Sequence, residues 1–168
     1  MSAVDEALEA NAGYARAFSH AALAPAPSKR LAVITCMDAR IDVLAMLGLR
    51  EGEAHVIRNA GGVITDDEIR SLAISQHLLG TREIMLIQHT DCGMLKITDE
   101  ELAERLEGSA GVRPDWHAHA IDALDEDVPR QLSKIAASPF IPHTDNLRGF
   151  VYAVETGLLR EVASTPGG

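Results

Sequence analysis

Apolar and polar positions along this chain fall into blocks that switch between a helical and an extended period. Residues 3 to 18 put Val4, Leu8, Ala12, Tyr14 and Phe18 on one rough stripe at helical spacing, and the prolines within Ala21 to Pro27 break it. The pattern predicts an N-terminal helical arm and linker over residues 1–28, with little core of its own and a need to pack on the main domain or on a second subunit. Leu31-Ala32-Val33-Ile34-Thr35 is a short continuous apolar run, read as a buried strand, and a helix around Ile41 to Leu47 stops at Gly48. Ala54 to Ile57 is a second strand, leading into a loop at Arg58-Asn59-Ala60-Gly61-Gly62. Thr65 and Glu68 have the spacing of a capping box, in which each side chain satisfies the other residue's free amide, and they open a helix to Leu79 with Gly80 as its stop. Glu83 to Gln88 is a third strand, ending at His89.

Strands that are apolar throughout need cover on both faces, and helices between them supply it. The chain therefore reads as an α/β protein: a central, mainly parallel β-sheet flanked by helices, in one domain over residues 29–168. Further along, Asp99 to Leu106 and Ala120 to Ala136 read as helices, with Pro129 a kink or boundary in the second, and Gly108 to His119 as a polar loop between them. Phe150 to Val154, a turn at Glu155-Thr156-Gly157, and Leu158 to Val162 predict a C-terminal β-hairpin.

With 168 residues, 46% of them apolar and 24% charged, one globular domain with a sizeable core is expected. A net charge of −10 argues against nucleic acid or an anionic membrane as partner, because both attract basic patches; a small neutral substrate is easily accommodated. The first ten residues carry Asp5, Glu6 and Glu9 without a basic, apolar leader pattern, and no long apolar run reads as a membrane span. A cytoplasmic location is expected, where two cysteines suit metal binding or catalysis better than a disulfide.

Both cysteines lie in short motifs at strand ends, Cys36-Met37-Asp38-Ala39-Arg40 and His89-Thr90-Asp91-Cys92-Gly93. In a parallel sheet, ligands gather outside the carboxyl ends of the strands, so residues remote in sequence can converge there. Two thiolates and an imidazole suit Zn²⁺, and three protein ligands leave a position open for water, as in catalytic zinc sites. A structural zinc closed by Asp38, or two ordinary buried cysteines, are the blander readings. A phosphatase loop is excluded, since only three residues separate Cys36 from Arg40 where five are needed to circle a phosphate. Asp38 and Arg40 are either a surface ion pair of small effect or a catalytic pair, in which Arg40 keeps Asp38 ionised and off the metal while Asp38 accepts a hydrogen bond from the nucleophile. His117 and His119 read as a solvated pair, His20, His55, His77 and His143 show no partner in sequence, and Asp91 fits a backbone-capping role.

C-x-D-x-R, then R-N-A-G, then H-x-x-C-G, in this order over residues 31 to 95, resembles the β-class carbonic anhydrase family. The resemblance implies zinc, one ion per chain, on Cys36, His89 and Cys92, a catalytic dyad of Asp38 and Arg40, and a substrate pocket that includes Asn59, Ala60, Gly61 and Gly62. It also implies reversible hydration of CO₂ to bicarbonate and a proton, in a homodimer or dimer of dimers with active sites near the subunit interface. Carbonyl sulfide and carbon disulfide hydrolases resemble the same family and form an alternative on the same zinc; a non-catalytic, zinc-stabilised binding module is a second. Where many plant-type members carry a glutamine before the first strand this chain has Ala26-Pro27-Ser28, and where bicarbonate-regulated members carry a tryptophan it has Val33.

Overall fold

The computed structural model describes residues 1–165; the last three positions of the domain expected over 29–168 lie outside the described residues. In chain order the elements are α1 (Ala3–Ala17), β1 (Leu31–Cys36), α2 (Val43–Leu47), β2 (Ala54–Asn59), α3 (Asp66–Leu79), β3 (Glu83–His89), α4 (Asp99–Ala110), α5 (Leu124–Ala136), β4 (Asn146–Tyr152) and β5 (Leu159–Ser164). The sheet order is β2-β1-β3-β4-β5. Its first four strands run parallel, and β5 closes the edge antiparallel to β4.

The apolar runs become strands because both faces of the sheet are covered. In β1, Ala32 and Ile34 face a core shared with Leu72 of α3 and with Val128, Leu132 and Ile135 of α5. Val33 turns to the opposite face, with Val43 of α2, Ile87 and Phe150. The Thr65–Glu68 capping box opens α3, and Gly80 ends it in the left-handed conformation that glycine adopts without strain.

Several boundaries differ from those the sequence pattern predicts. Asp42 caps α2, so Ile41 precedes that helix, although it is buried. Strand β2 runs on to Asn59, placing Arg58 and Asn59 in the sheet rather than in a loop. Pro129 lies inside α5 without ending it. Proline forfeits one backbone bond in a helix interior, and here the burial of Val128, Leu132 and Ile135 against the sheet outweighs that loss.

Strand β4 begins at Asn146, earlier than its apolar pattern suggests, because Gly149 sits within it. A Cβ there would lie 2.4 Å from Val128 Cγ1 and 3.0 Å from Leu132 Cδ1, so the missing side chain is what lets α5 approach the sheet. Gly149→Ala is expected to destabilise the protein by about 1–3 kcal/mol, the usual cost of overpacking a filled core. Urea denaturation measures this, and an unchanged midpoint would show that α5 is free to slide.

Helix α1 stands apart from both cores. It has a Ser2–Asp5 capping box yet contains no buried residue. Its far end is anchored by Glu51, whose carboxylate accepts a hydrogen bond from Tyr14 Oη at 3.3 Å and meets the His20 ring. Among the described residues no helix is long and apolar enough to cross a membrane.

Candidate metal centre

Cys36 ends β1, His89 ends β3, and Cys92 follows three residues later at the head of a single turn of 3₁₀-helix, Gly93–Leu95. The parallel pairing of β1 and β3 brings the two strand ends side by side. One ligand-capable atom from each of the three residues lies within 4.8 Å of the others, so the cluster could hold a metal ion. Cys36, His89 and Cys92 are 5%, 0% and 2% exposed.

The donor set fits a thiolate-ligated ion. Two sulfurs on one tetrahedral zinc, each at ~2.3 Å, sit roughly 3.8 Å apart; here the two Sγ atoms are 4.0 Å apart. His89 Nδ1 hydrogen-bonds to the Thr90 carbonyl at 2.8 Å. That places the proton on Nδ1 and leaves a lone pair on Nε2, the arrangement a metal-binding histidine requires. Nε2 is buried and has no hydrogen-bond partner, a costly state for an imidazole that nothing ligates.

The two thiols face each other and are driven in opposite directions. A hydrogen bond from Cys92 holds the Cys36 thiol well below its usual range despite burial. The same bond, with burial added, pushes the Cys92 thiol up. Gly61 adds a backbone N–H to Cys36 Sγ at 3.3 Å. Gly62 makes this approach feasible: its φ is +62°, and a Cβ would lie 3.1 Å from each of Cys36 N, Ile87 O and Thr35 C.

Asp38 and Arg40 sit beside the cluster as an interlocked pair. Arg40 Nε donates to Asp38 Oδ1 at 3.0 Å, Nη2 to Oδ2 at 2.8 Å, and the Arg40 backbone N–H to Oδ1 at 2.9 Å. These bonds hold the Asp38 carboxyl far below the ordinary carboxylate range. Asp38 Oδ2 is 3.8 Å from His89 Nε2, so the carboxylate faces the cluster while the guanidinium holds it.

The 58–62 segment proves more structural than the sequence suggests. Arg58 donates from Nε to the Cys36 carbonyl at 3.0 Å and from Nη2 to the Asp38 carbonyl at 2.7 Å, pinning the turn that carries both side chains. The Asn59 amide is taken up within its own loop, donating to Val63 O at 2.7 Å and accepting from Val63 N at 3.1 Å. Ala60 follows as the first residue of the turn beyond β2.

Sequence reasoning misses the part played by Asp91. Its φ is +52°, its Oδ2 accepts from Arg40 Nη1 at 2.9 Å, and Lys96 pairs with its other oxygen. Lys96 first and Arg40 second lower its carboxyl below the ordinary range. Its place between two ligand positions is the one signal the sequence carries. His117 stays outside the site, well exposed and 3.5 Å from Asp99. His55, His77 and His143 acquire partners in Ser75, the Phe140 carbonyl and Arg82, as His20 does in Glu51.

The carbonic anhydrase family model matches residues 31–159 of this parallel α/β chain, and with the relatives below it shows that the chain belongs to the β-class carbonic anhydrase family. It is 52% identical over 162 residues to β-carbonic anhydrase 1 of Mycobacterium tuberculosis, covering 96% of this chain and 99% of the relative. The crystal structure of carbonic anhydrase from Streptococcus mutans matches with a TM-score of 0.92 and 41% identity, covering 97% of this chain and 99% of that one. A carbon disulfide hydrolase of an Acidianus strain is 35% identical over 159 residues, covering 80% of this chain and 78% of the relative.

Proposed function

We propose that this protein is a zinc enzyme that reversibly hydrates CO₂ to bicarbonate and a proton. The observation that carries the reading is the buried Cys36–His89–Cys92 cluster with an unpartnered imidazole nitrogen, flanked by a carboxylate that the Arg40 guanidinium grips at both oxygens. Cys36, His89 and Cys92 would hold one Zn²⁺, which lowers the pKa of a bound water and so supplies a nucleophile near neutral pH. Asp38, kept ionised by Arg40, would accept a hydrogen bond from that nucleophile without removing its proton, and would so direct a free lone pair at the carbon. Gly61 and Gly62 bring the segment containing Asn59 and Ala60 against Cys36 and form one wall of the site.

The 52% relationship to a β-carbonic anhydrase, over nearly the whole of both chains, favours CO₂ over carbon disulfide, whose hydrolase is a more distant relative. Zinc analysis together with stopped-flow CO₂ hydration across pH tests the reading. Zinc-replete protein inactive from neutral to alkaline pH would instead support a binding module, and faster turnover of carbonyl sulfide or carbon disulfide would move the assignment to that branch. The reading extends to function in a reducing compartment such as the cytoplasm, supported by the two free cysteines on which the site would depend.

The same reading includes a homodimer. In the single chain, Val4, Leu8, Tyr14 and Phe18 of the arm are between 48% and 68% exposed, an apolar stripe that needs a surface to cover. Deleting residues 1–24 is expected to weaken association, seen as a lower sedimentation coefficient at micromolar concentration. A monomeric intact chain under those conditions would refute the dimer.

A further inference from the structure

Arg40 has a difficult task for a side chain that is 47% exposed. An exposed aspartate–arginine pair two residues apart contributes little on its own, because water competes for both charges and a long flexible side chain must be held in one pose. The structure supplies a second grip. With Nε and Nη2 forked on Asp38, Nη1 donates to Asp91 Oδ2 at 2.9 Å and Nη2 donates again to the Asp91 carbonyl at 3.1 Å. Side chain and backbone of one residue therefore clamp the guanidinium edge that Asp38 leaves free.

The clamp rests on a fixed base. Lys96 holds the other Asp91 oxygen, so Asp38, Arg40, Asp91 and Lys96 form a row of alternating charge leading out from the cluster. The neighbouring Thr90 is tied to the hairpin turn, its Oγ1 donating to Glu155 at 2.8 Å and accepting from Val154 N at 3.0 Å. Asp91 lies between His89 and Cys92, so one short loop carries two of the metal-ligand candidates and the Arg40 clamp. Its left-handed backbone would be satisfied by asparagine or glycine, so the turn alone does not call for a carboxylate.

We infer that Asp91 is a positioning residue that holds the Arg40 guanidinium on Asp38 and thereby keeps the Asp38 carboxylate off the metal. This rests on the zinc reading of the cluster. Without the clamp, Arg40 samples solvent, and Asp38, already facing His89, competes for the open position.

Asp91→Asn and Asp91→Gly both suit the left-handed backbone, so neither is expected to compromise folding. Each should retain full zinc and lose about 10-fold in CO₂ hydration at neutral pH, the lower end of the effect of removing a group that orients a metal site. The pH profile should move to the alkaline side, where hydroxide outcompetes a carboxylate. In cobalt-substituted protein the visible spectrum should shift toward a carboxylate-ligated form. In metal-free protein, the Arg40 Nε–H resonance should be protected from exchange in the wild type and lose protection in both variants. In an Asp38→Asn background the Asp91→Asn change should cost nothing further, since the clamp would have no carboxylate to restrain.

Wild-type rate and pH profile in both Asp91 variants would overturn the inference and leave the zinc site standing. An undiminished loss in the Asp38→Asn background would also overturn it, by showing that Asp91 acts elsewhere. A wild-type protein that binds no zinc would overturn the underlying reading and the inference with it.

Discussion

Cys36→Ser, His89→Ala and Cys92→Ser are each expected to lose zinc and CO₂ hydration together, from a wild type that holds about one zinc per chain. Each substitution reduces three ligands to two and exchanges a soft or borderline donor for a hard oxygen or for none. The surroundings cannot repair the loss. The cluster is buried, and the nearest other carboxylate, Asp38, is already engaged by Arg40. Cys36→Ser also replaces the sulfur that accepts the Gly61 amide. Metal analysis beside stopped-flow rates checks the expectation, and a full zinc complement in any one variant would strike that residue from the ligand set.

The second large effect concerns the dyad, where the two single substitutions should fail for different reasons. Arg40→Ala keeps zinc but frees Asp38, which retains only the backbone N–H at residue 40 among the three bonds that now hold it. The carboxylate then competes with hydroxide for the open position, so activity at neutral pH should fall by about 10–100-fold. Hydroxide becomes a better competitor as pH rises, so the rate should recover toward alkaline pH. Asp38→Asn has no carboxylate to bind the metal and an amide that is a poorer hydrogen-bond acceptor. It should lose a similar factor without alkaline recovery. Parallel pH profiles for the two variants would contradict the separate roles, and near-wild-type hydration by either would remove that residue from the chemistry.

Much of this site is legible in the amino-acid sequence. The apolar runs at Leu31–Thr35 and Glu83–Gln88 have a clear physical reading because both faces of a parallel sheet are buried, and each leads directly to a ligand candidate. The capping box at Thr65 is equally local. What escapes depends on contacts between distant segments. Arg58 reads as a loop residue, but its donors meet the Cys36 and Asp38 carbonyls across the β1–β2 pairing, which no spacing rule encodes. Asp91 reads as a backbone cap because its partner, Arg40, arrives from a different strand end. The start of β4 is hidden by Gly149, a weak strand former that is there because α5 comes so near.

The side-by-side endings of β1 and β3 carry a thermodynamic consequence. Cys36 and His89 are held near each other by a ladder of parallel strand pairing that continues into β4. In a zinc finger the ion assembles the fold, whereas here the ladder has already met the entropy of bringing two remote ligands together. Chelation should therefore abolish the ligand set's occupancy and leave the far-ultraviolet circular dichroism unchanged. Zinc should raise the melting temperature only by mass action, in proportion to the logarithm of its free concentration above the dissociation constant.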